Sequence, residues 1–215
     1  MKQATDKTDR YDVDARIERI MTSDIYLKQH RKEIDFAFNH VLAHVGVVDT
    51  FVEIGSMEGA SLYVYGGLVP RGGLAIALDD CRRQRTRRNL KRSVALLRDA
   101  EGIDASILRG NSHKQETLAV LKEQLGCRMI DFLHIDGDHS AAGSWSDWEM
   151  YSPLVRPGGI VAFHDIRASA PCHVDDTWLK VCNTGRLTRV TAQGRFRWYP
   201  ESKLHKECGI GLVYM

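Results

Sequence analysis

The chain has 215 residues, 43% of them hydrophobic, and a formal net charge of +2. That length suits one domain with a full core, and the small net charge says little about partners. No apolar run approaches a membrane span and no signal peptide opens the chain, so a membrane protein is not expected. The five cysteines, at 81, 127, 172, 182 and 208, are odd in number and form no CxxC. That pattern suits a reducing cytoplasm and argues against a disulfide framework.

Residues 1–24 are polar, and read as an arm or a short helix over Ala15, Ile17, Ile20 and Met21. From Asp24 the pattern turns helical: Ile25, Phe36, Phe38, Val41, Leu42 and Val45 predict an amphipathic helix ending near Gly46, with Ser23 or Asp24 at its start. Residues 1–49 are therefore taken as an arm and helix preceding a domain over 50–215. The stretch Phe51–Ile54 predicts a buried strand, followed by a turn at Gly55 and a helix from about Ala60. The segment Glu-x-Gly-x-x-x-Gly, over Glu53, Gly55 and Gly59, is not the Gly-x-Gly-x-x-Gly of a dinucleotide site. Its glycines still let backbone approach a ligand, with Ser56 between them and helix amides behind.

A second strand, Leu74–Leu78, ends in Asp79-Asp80. A carboxylate in that position can accept both hydroxyls of a ribose; Asp79 is favoured by position, Asp80 is the alternative, and helix capping is the competing role. Residues 82–98 carry seven arginines and a lysine around a stripe of Leu90, Val94 and Leu97. This reads as a solvated basic helix face rather than a nucleic-acid site, since no aromatics interleave the charges. A third strand, Asp104–Leu108, leads to a polar loop with Asn111 and Ser112, and a helix with Leu118, Leu121 and Leu125 follows.

The chain is organised around residues 131–166. A strand over Phe132–Ile135 ends in Asp136-Gly137-Asp138-His139. An amphipathic segment with Trp145, Trp148 and Tyr151 follows, then an Arg156-Pro-Gly-Gly159 turn and a strand over Ile160–Phe163 ending in His164-Asp165. A strand-helix-strand crossover would deliver Asp136 and Asp165 to one cleft at the carboxyl ends of a parallel sheet, where ligands bind. Crowded carboxylates repel unless a proton or cation lies between them. A hard divalent cation is the simple answer, and helix capping the competing one. Beyond Asp165, a helix is expected over 176–187, a strand over Arg195–Tyr199 and a final strand over 209–215, with 166–177 as a substrate lid.

The stretch resembles the metal-dependent branch of the class I S-adenosylmethionine methyltransferases, above all the sugar and macrolide O-methyltransferases and the cephalosporin hydroxylase-like group. The resemblance spans 50–215 and implies an α/β fold: a doubly wound, mostly parallel seven-stranded sheet with a final antiparallel strand. It implies S-adenosylmethionine as cofactor, with Glu53, Gly55, Ser56 and Gly59 at its methionine end, Asp79 or Asp80 at the ribose, and Asn111 and Ser112 near the adenine. Asp136 would touch both cofactor and metal. Asp136 and Asp165 would bind the metal, magnesium or manganese, and His139 would act as base. His164 stands where that family has an acid, and is carried as a third ligand. The implied acceptor is a small-molecule hydroxyl. A homo-oligomer is compatible with the sequence but not required by it.

Overall fold

The computed structural model describes residues 9–167, 173–184, 188–190 and 209–215. The strands are Thr50–Ile54 (β1), Leu74–Asp79 (β2), Asp104–Arg109 (β3), Ile130–Ile135 (β4), Val155–Phe163 (β5), Thr188–Val190 (β6) and Gly211–Tyr214 (β7). The sheet order is β3-β2-β1-β4-β5-β7-β6. Strands β1 to β5 pair in parallel, and β7 runs antiparallel to both β5 and β6. This is the expected doubly wound α/β fold. Six strands have four residues or more, and the seventh, β6, is a three-residue edge bridge.

Among the described residues seven α-helices complete it: Val13–Met21 (α1), Arg31–Val45 (α2), Ala60–Gly66 (α3), Gln84–Glu101 (α4), Gln115–Leu125 (α5), Ala141–Tyr151 (α6) and Val174–Cys182 (α7). Side chains alternate across a strand, so each buried strand feeds two cores. Phe51, Ala75, Ala77, Phe132, Ile160 and Ala162 face one core, closed by α1 to α4. Val52, Ile54, Ile76, Leu133, Val161 and Phe163 face the other, closed by α5, α6 and α7. The stripe Leu90, Val94 and Leu97 of α4 is buried as its spacing predicts, with its basic residues turned outward.

Three expectations about boundaries change. The helix expected from Asp24 starts at Arg31, capped by His30 with Glu33 completing a reciprocal capping box. Asp24 takes a left-handed conformation (φ 57°), and the chain between it and His30 has no helical turn. Arg156-Pro-Gly-Gly159 is not a turn between elements but part of β5, where the register shifts against β4. The Gly158 amide donates to the Met215 carbonyl at 2.7 Å, so the pairing with the end of the chain holds it in the sheet. The helix expected over 176–187 is α7, two residues earlier and ending at Cys182; it also takes up the last part of the expected lid. The strand expected over Arg195–Tyr199, and 168–172 of that lid, lie outside the described residues.

The N-terminal helices are tied to the sheet domain. Arg16 of α1 is buried, pairs with Glu101 at 3.0 Å, and donates to the Tyr63 and Val64 carbonyls of α3. The Val64 carbonyl also accepts the Gly67 amide at 3.0 Å, and the buried guanidinium adds a further donor at this helix end. Among the described residues no helix is long and apolar enough to cross a membrane.

Candidate active site

A cavity of about 710 Å³ opens at the carboxyl ends of β1, β2, β4 and β5. Its floor is the loop after β1. Gly55 and Gly59 have φ of 84° and 83°, and Met57 between them has 46°. A Cβ on Gly55 would lie 2.1 Å from the Asp136 carbonyl oxygen, so only glycine lets the loops after β1 and β4 touch. Gly59 is likewise closed against Ser93 and Leu90 of α4. Ser56, Asp79, Asp80, Asn111 and Ser112 also line the cavity.

Glu53 does not. It shares strand parity with Phe51, so it faces the helices of α1 to α4, fully buried, with Oε1 2.9 Å from His134 Nδ1. The side chain that the resemblance set at the cofactor's methionine end therefore serves the core beneath it.

Asp79 accepts the amides of Met57 (2.8 Å) and Cys81 (2.6 Å), so its carboxylate braces the glycine loop while still lining the cavity. Burial raises its pKa against those two amides, which lower it. Asp80 is spent differently: it pairs with Arg82 at 2.7 Å, on the exposed side. Asn111 accepts the His113 amide at 2.9 Å, and the Ser112 carbonyl accepts the Tyr151 hydroxyl at 2.7 Å, fixing the loop after β3.

The two strand ends bring Asp136, His139, His164 and Asp165 together. His139 lies between the carboxylates, Nε2 3.3 Å from Asp136 Oδ1 and Nδ1 3.3 Å from Asp165 Oδ2. His164 Nδ1 lies 3.3 Å from Asp136 Oδ1 and 3.4 Å from Asp165 Oδ1, on the buried side. One ligand atom from each of Asp136, His139 and Asp165 falls within 4.8 Å of the others, a spacing that fits one cation. His164 stands outside that triad and reaches Glu33 at 3.2 Å through its other ring nitrogen. Asp165 adopts a left-handed φ of 59°, a conformation that aspartate, like asparagine, tolerates better than most residues.

Charge states follow from the crowding. Burial pushes the Asp136 carboxyl upward, but His164 and His139 outweigh it and hold the pKa well below the usual range. Asp165 is lowered for the same reason: burial opposes, and the His164 hydrogen bond prevails. His139 is raised by its hydrogen bond to Asp136, against burial. His164 is raised despite complete burial, through Asp136, Asp165 and Glu33. The crowded carboxylates thus favour the protonated form of both imidazoles.

Three residues of this site were not expected from the sequence. Gln29 donates through Nε2 to Asp136 Oδ2 at 2.7 Å and lies 3.2 Å from His134 Nε2. Glu33 backs His164, and His134 backs Glu53. Gln29 and Glu33 come from a segment more than a hundred residues away in the chain, and nothing local marks them. His134 is visible only as a polar residue inside an apolar strand, which is a weak signal.

The family model for a methyltransferase domain matches residues 52–166, just over half of the chain. The chain belongs to this methyltransferase family. No curated protein matches it by sequence. Among solved structures, an O-methyltransferase from Bacillus cereus in complex with SAH superposes with a TM-score of 0.62 at 14% identity, covering 97% of both chains. The O-methyltransferase TomG from Streptomyces achromogenes, involved in tomaymycin synthesis and bound to SAM, gives 0.59 at 12%, covering 99% of this chain and 92% of that one. A precorrin-6y C5,15-methyltransferase from Geobacter metallireducens gives 0.55 at 13%, covering 88% and 90%. At such identities the likeness is one of fold. The methyltransferase is thus an S-adenosylmethionine-dependent enzyme by family, and the atom it methylates has to be argued from the site.

Proposed function

We propose that this methyltransferase transfers the methyl group of S-adenosylmethionine to a hydroxyl oxygen of a small molecule, with a divalent cation held by Asp136 and Asp165 and with His139 beside it as base. The observation that carries the reading is that triad, its ligand atoms within 4.8 Å of one another on the wall of the same cavity as the glycine loop. Two carboxylates as donors suit magnesium or manganese. Bound there, a divalent cation supplies Lewis acidity toward an acceptor oxygen.

The chain's own residues divide the remaining work. Gly55 and Gly59 keep the loop floor low enough for backbone to meet the cofactor. Asp79 faces the cavity, where its carboxylate would accept the hydroxyls of a ribose. His139 is the most exposed of the site's imidazoles, at 38% of its side chain, and is the group that can reach an acceptor proton. The two carboxylates favour its protonated form; with a cation sharing them, a ring nitrogen would be available to take the hydroxyl proton. His164, buried against Glu33, keeps its ring fixed and orients both carboxylates from behind. The neutral sum of these parts favours oxygen over carbon or amine acceptors, because a hydroxyl is the group that needs both an acidifying charge and a base.

The test is turnover against a panel of sugar, polyketide and catechol hydroxyls, with and without chelator. Activity should vanish with chelator and return with magnesium or manganese. Asp165→Ala should weaken manganese binding along with turnover, and His139→Ala should cut turnover by about a hundredfold or more. Chelator-insensitive turnover, or a fully active His139→Ala, would overturn the mechanism.

A further inference from the structure

Asp136 has two carboxylate oxygens, and the structure spends them differently. Oδ2 accepts the Gln29 amide at 2.7 Å, while Oδ1 faces His139 and His164, each at 3.3 Å. Gln29 is only 7% exposed, and its nitrogen, not its oxygen, must face a carboxylate. The same nitrogen lies 3.2 Å from His134 Nε2, and His134 is itself held by Glu53. The amide is therefore fixed from behind by a buried pair before it reaches Asp136.

The segment that carries it is built for a single position. Ile25 is fully buried and Asp24 is left-handed, so the chain turns before crossing the sheet edge. His30 then caps α2, and Glu33, in that helix's first turn, meets His164. One short stretch thus contacts both strand-end clusters, one through Gln29 and one through Glu33.

We propose that Gln29 is a positioning residue for the cation centre: its amide occupies Asp136 Oδ2 and leaves Oδ1 alone to meet the ion. The inference rests on the cation site proposed above. A carboxylate with both oxygens open can swing toward bidentate binding; one pinned at Oδ2 presents a single lone-pair direction toward His139 and Asp165. Groups that hydrogen-bond a ligand carboxylate commonly carry ten- to a hundredfold of metal affinity.

The experiment measures manganese binding to the full chain by paramagnetic resonance, without cofactor or acceptor, in wild type, Gln29→Leu, Asp136→Asn and the double variant. Gln29→Leu keeps the side chain's size and removes the amide; its manganese affinity should fall about tenfold or more. Because Gln29 acts through Asp136, the same change should cost little further in the Asp136→Asn background. A merely structural role would lower affinity by the same factor in both backgrounds. If Gln29→Leu binds manganese within twofold of wild type, or costs the same with Asp136 as without it, the assignment of Gln29 is overturned and the cation site stands. If wild type itself binds no manganese, the cation site falls and Gln29's role with it.

Discussion

Gly55→Ala tests the cavity floor most directly, because a second glycine supplies its control. Gly55 and Gly72 share nearly the same backbone, φ 84° and 81°, yet a Cβ on Gly72 would meet nothing within 4 Å. Left-handed alanine costs about 1–2 kcal/mol. Reduced freedom of the unfolded chain returns part of that, about 0.4–1 kcal/mol. Gly72→Ala should therefore lower the melting temperature by only a few degrees, at roughly 2–4 °C per kcal/mol for a chain of this size. Gly55→Ala carries the same conformational cost and a collision as well. Its Cβ would sit 2.1 Å from the Asp136 carbonyl oxygen, where ordinary contact begins at 3.4 Å, so the loops must part by about 1.3 Å, the difference of the two. That displacement breaks the Asp136 amide's bond to the Ile54 carbonyl, now 2.9 Å. Overpacking adds about 1–3 kcal/mol, and a lost buried hydrogen bond a similar amount. A total of roughly 3–6 kcal/mol corresponds to a fall of about 10 °C or more. A shift of 1 Å in a positioning element can cost about a hundredfold, so S-adenosylhomocysteine affinity, read by calorimetry, should drop by at least that much in Gly55→Ala and stay unchanged in Gly72→Ala. Equal melting temperatures and equal affinities in the two variants would refute the close-approach argument.

Asp147 of α6 is fully buried beneath Gly137, with His113 Nε2 3.4 Å away, and burial pushes its pKa up to about 6. A carboxyl raised above its unfolded value destabilises the folded state as pH rises from about 4 to 6, and the loss is complete above that. Asp147→Asn should therefore be about 2–3 kcal/mol more stable than wild type at pH 8, and no more stable at pH 4; a stability gap that does not change with pH would remove the charge argument. The outward face of α4 is expected to bind RNA and DNA only weakly, with affinity fading steeply as salt rises. Tight binding at near-physiological salt that Arg87→Glu with Arg88→Glu abolishes would instead make that helix a nucleic-acid surface.

What the sequence displayed was local. Runs of strand length at 51–54, 74–78, 104–108, 132–135 and 160–163 each fall within an observed strand; all but 104–108, in the partly exposed edge strand β3, are buried on both faces. Asp136 and Asp165 were legible because each lies within two residues of such a strand's end, and the crossover rule sets neighbouring strand ends side by side; His139, three residues beyond Asp136, was marked by the resemblance. The orientation of Glu53 was less legible than its position, since a residue inside a fully buried strand can face either core. Gln29 and Glu33 were not legible at all. They reach the site across 107 and 131 residues, through tertiary packing that no local pattern encodes. The helix start at Arg31 rather than Asp24 has the same origin: contact with the strand ends overrides a favourable helical pattern.

The buried polar chain Glu53–His134–Gln29–Asp136–His164–Glu33 also bears on how this protein could be stabilised. Charged and amide groups withdrawn from water at this density oppose folding, and exchanging a buried ionic cluster for well-packed apolar side chains commonly raises stability by about 1–4 kcal/mol. Cores of similar volume filled with leucine or methionine at Glu53 and His134 would thus be expected to melt later. They would also release Gln29 from behind and let Asp136 turn. A selection for heat resistance alone would erode this cluster early, and among thermostable variants the lost activity would trace to residues that never touch a substrate.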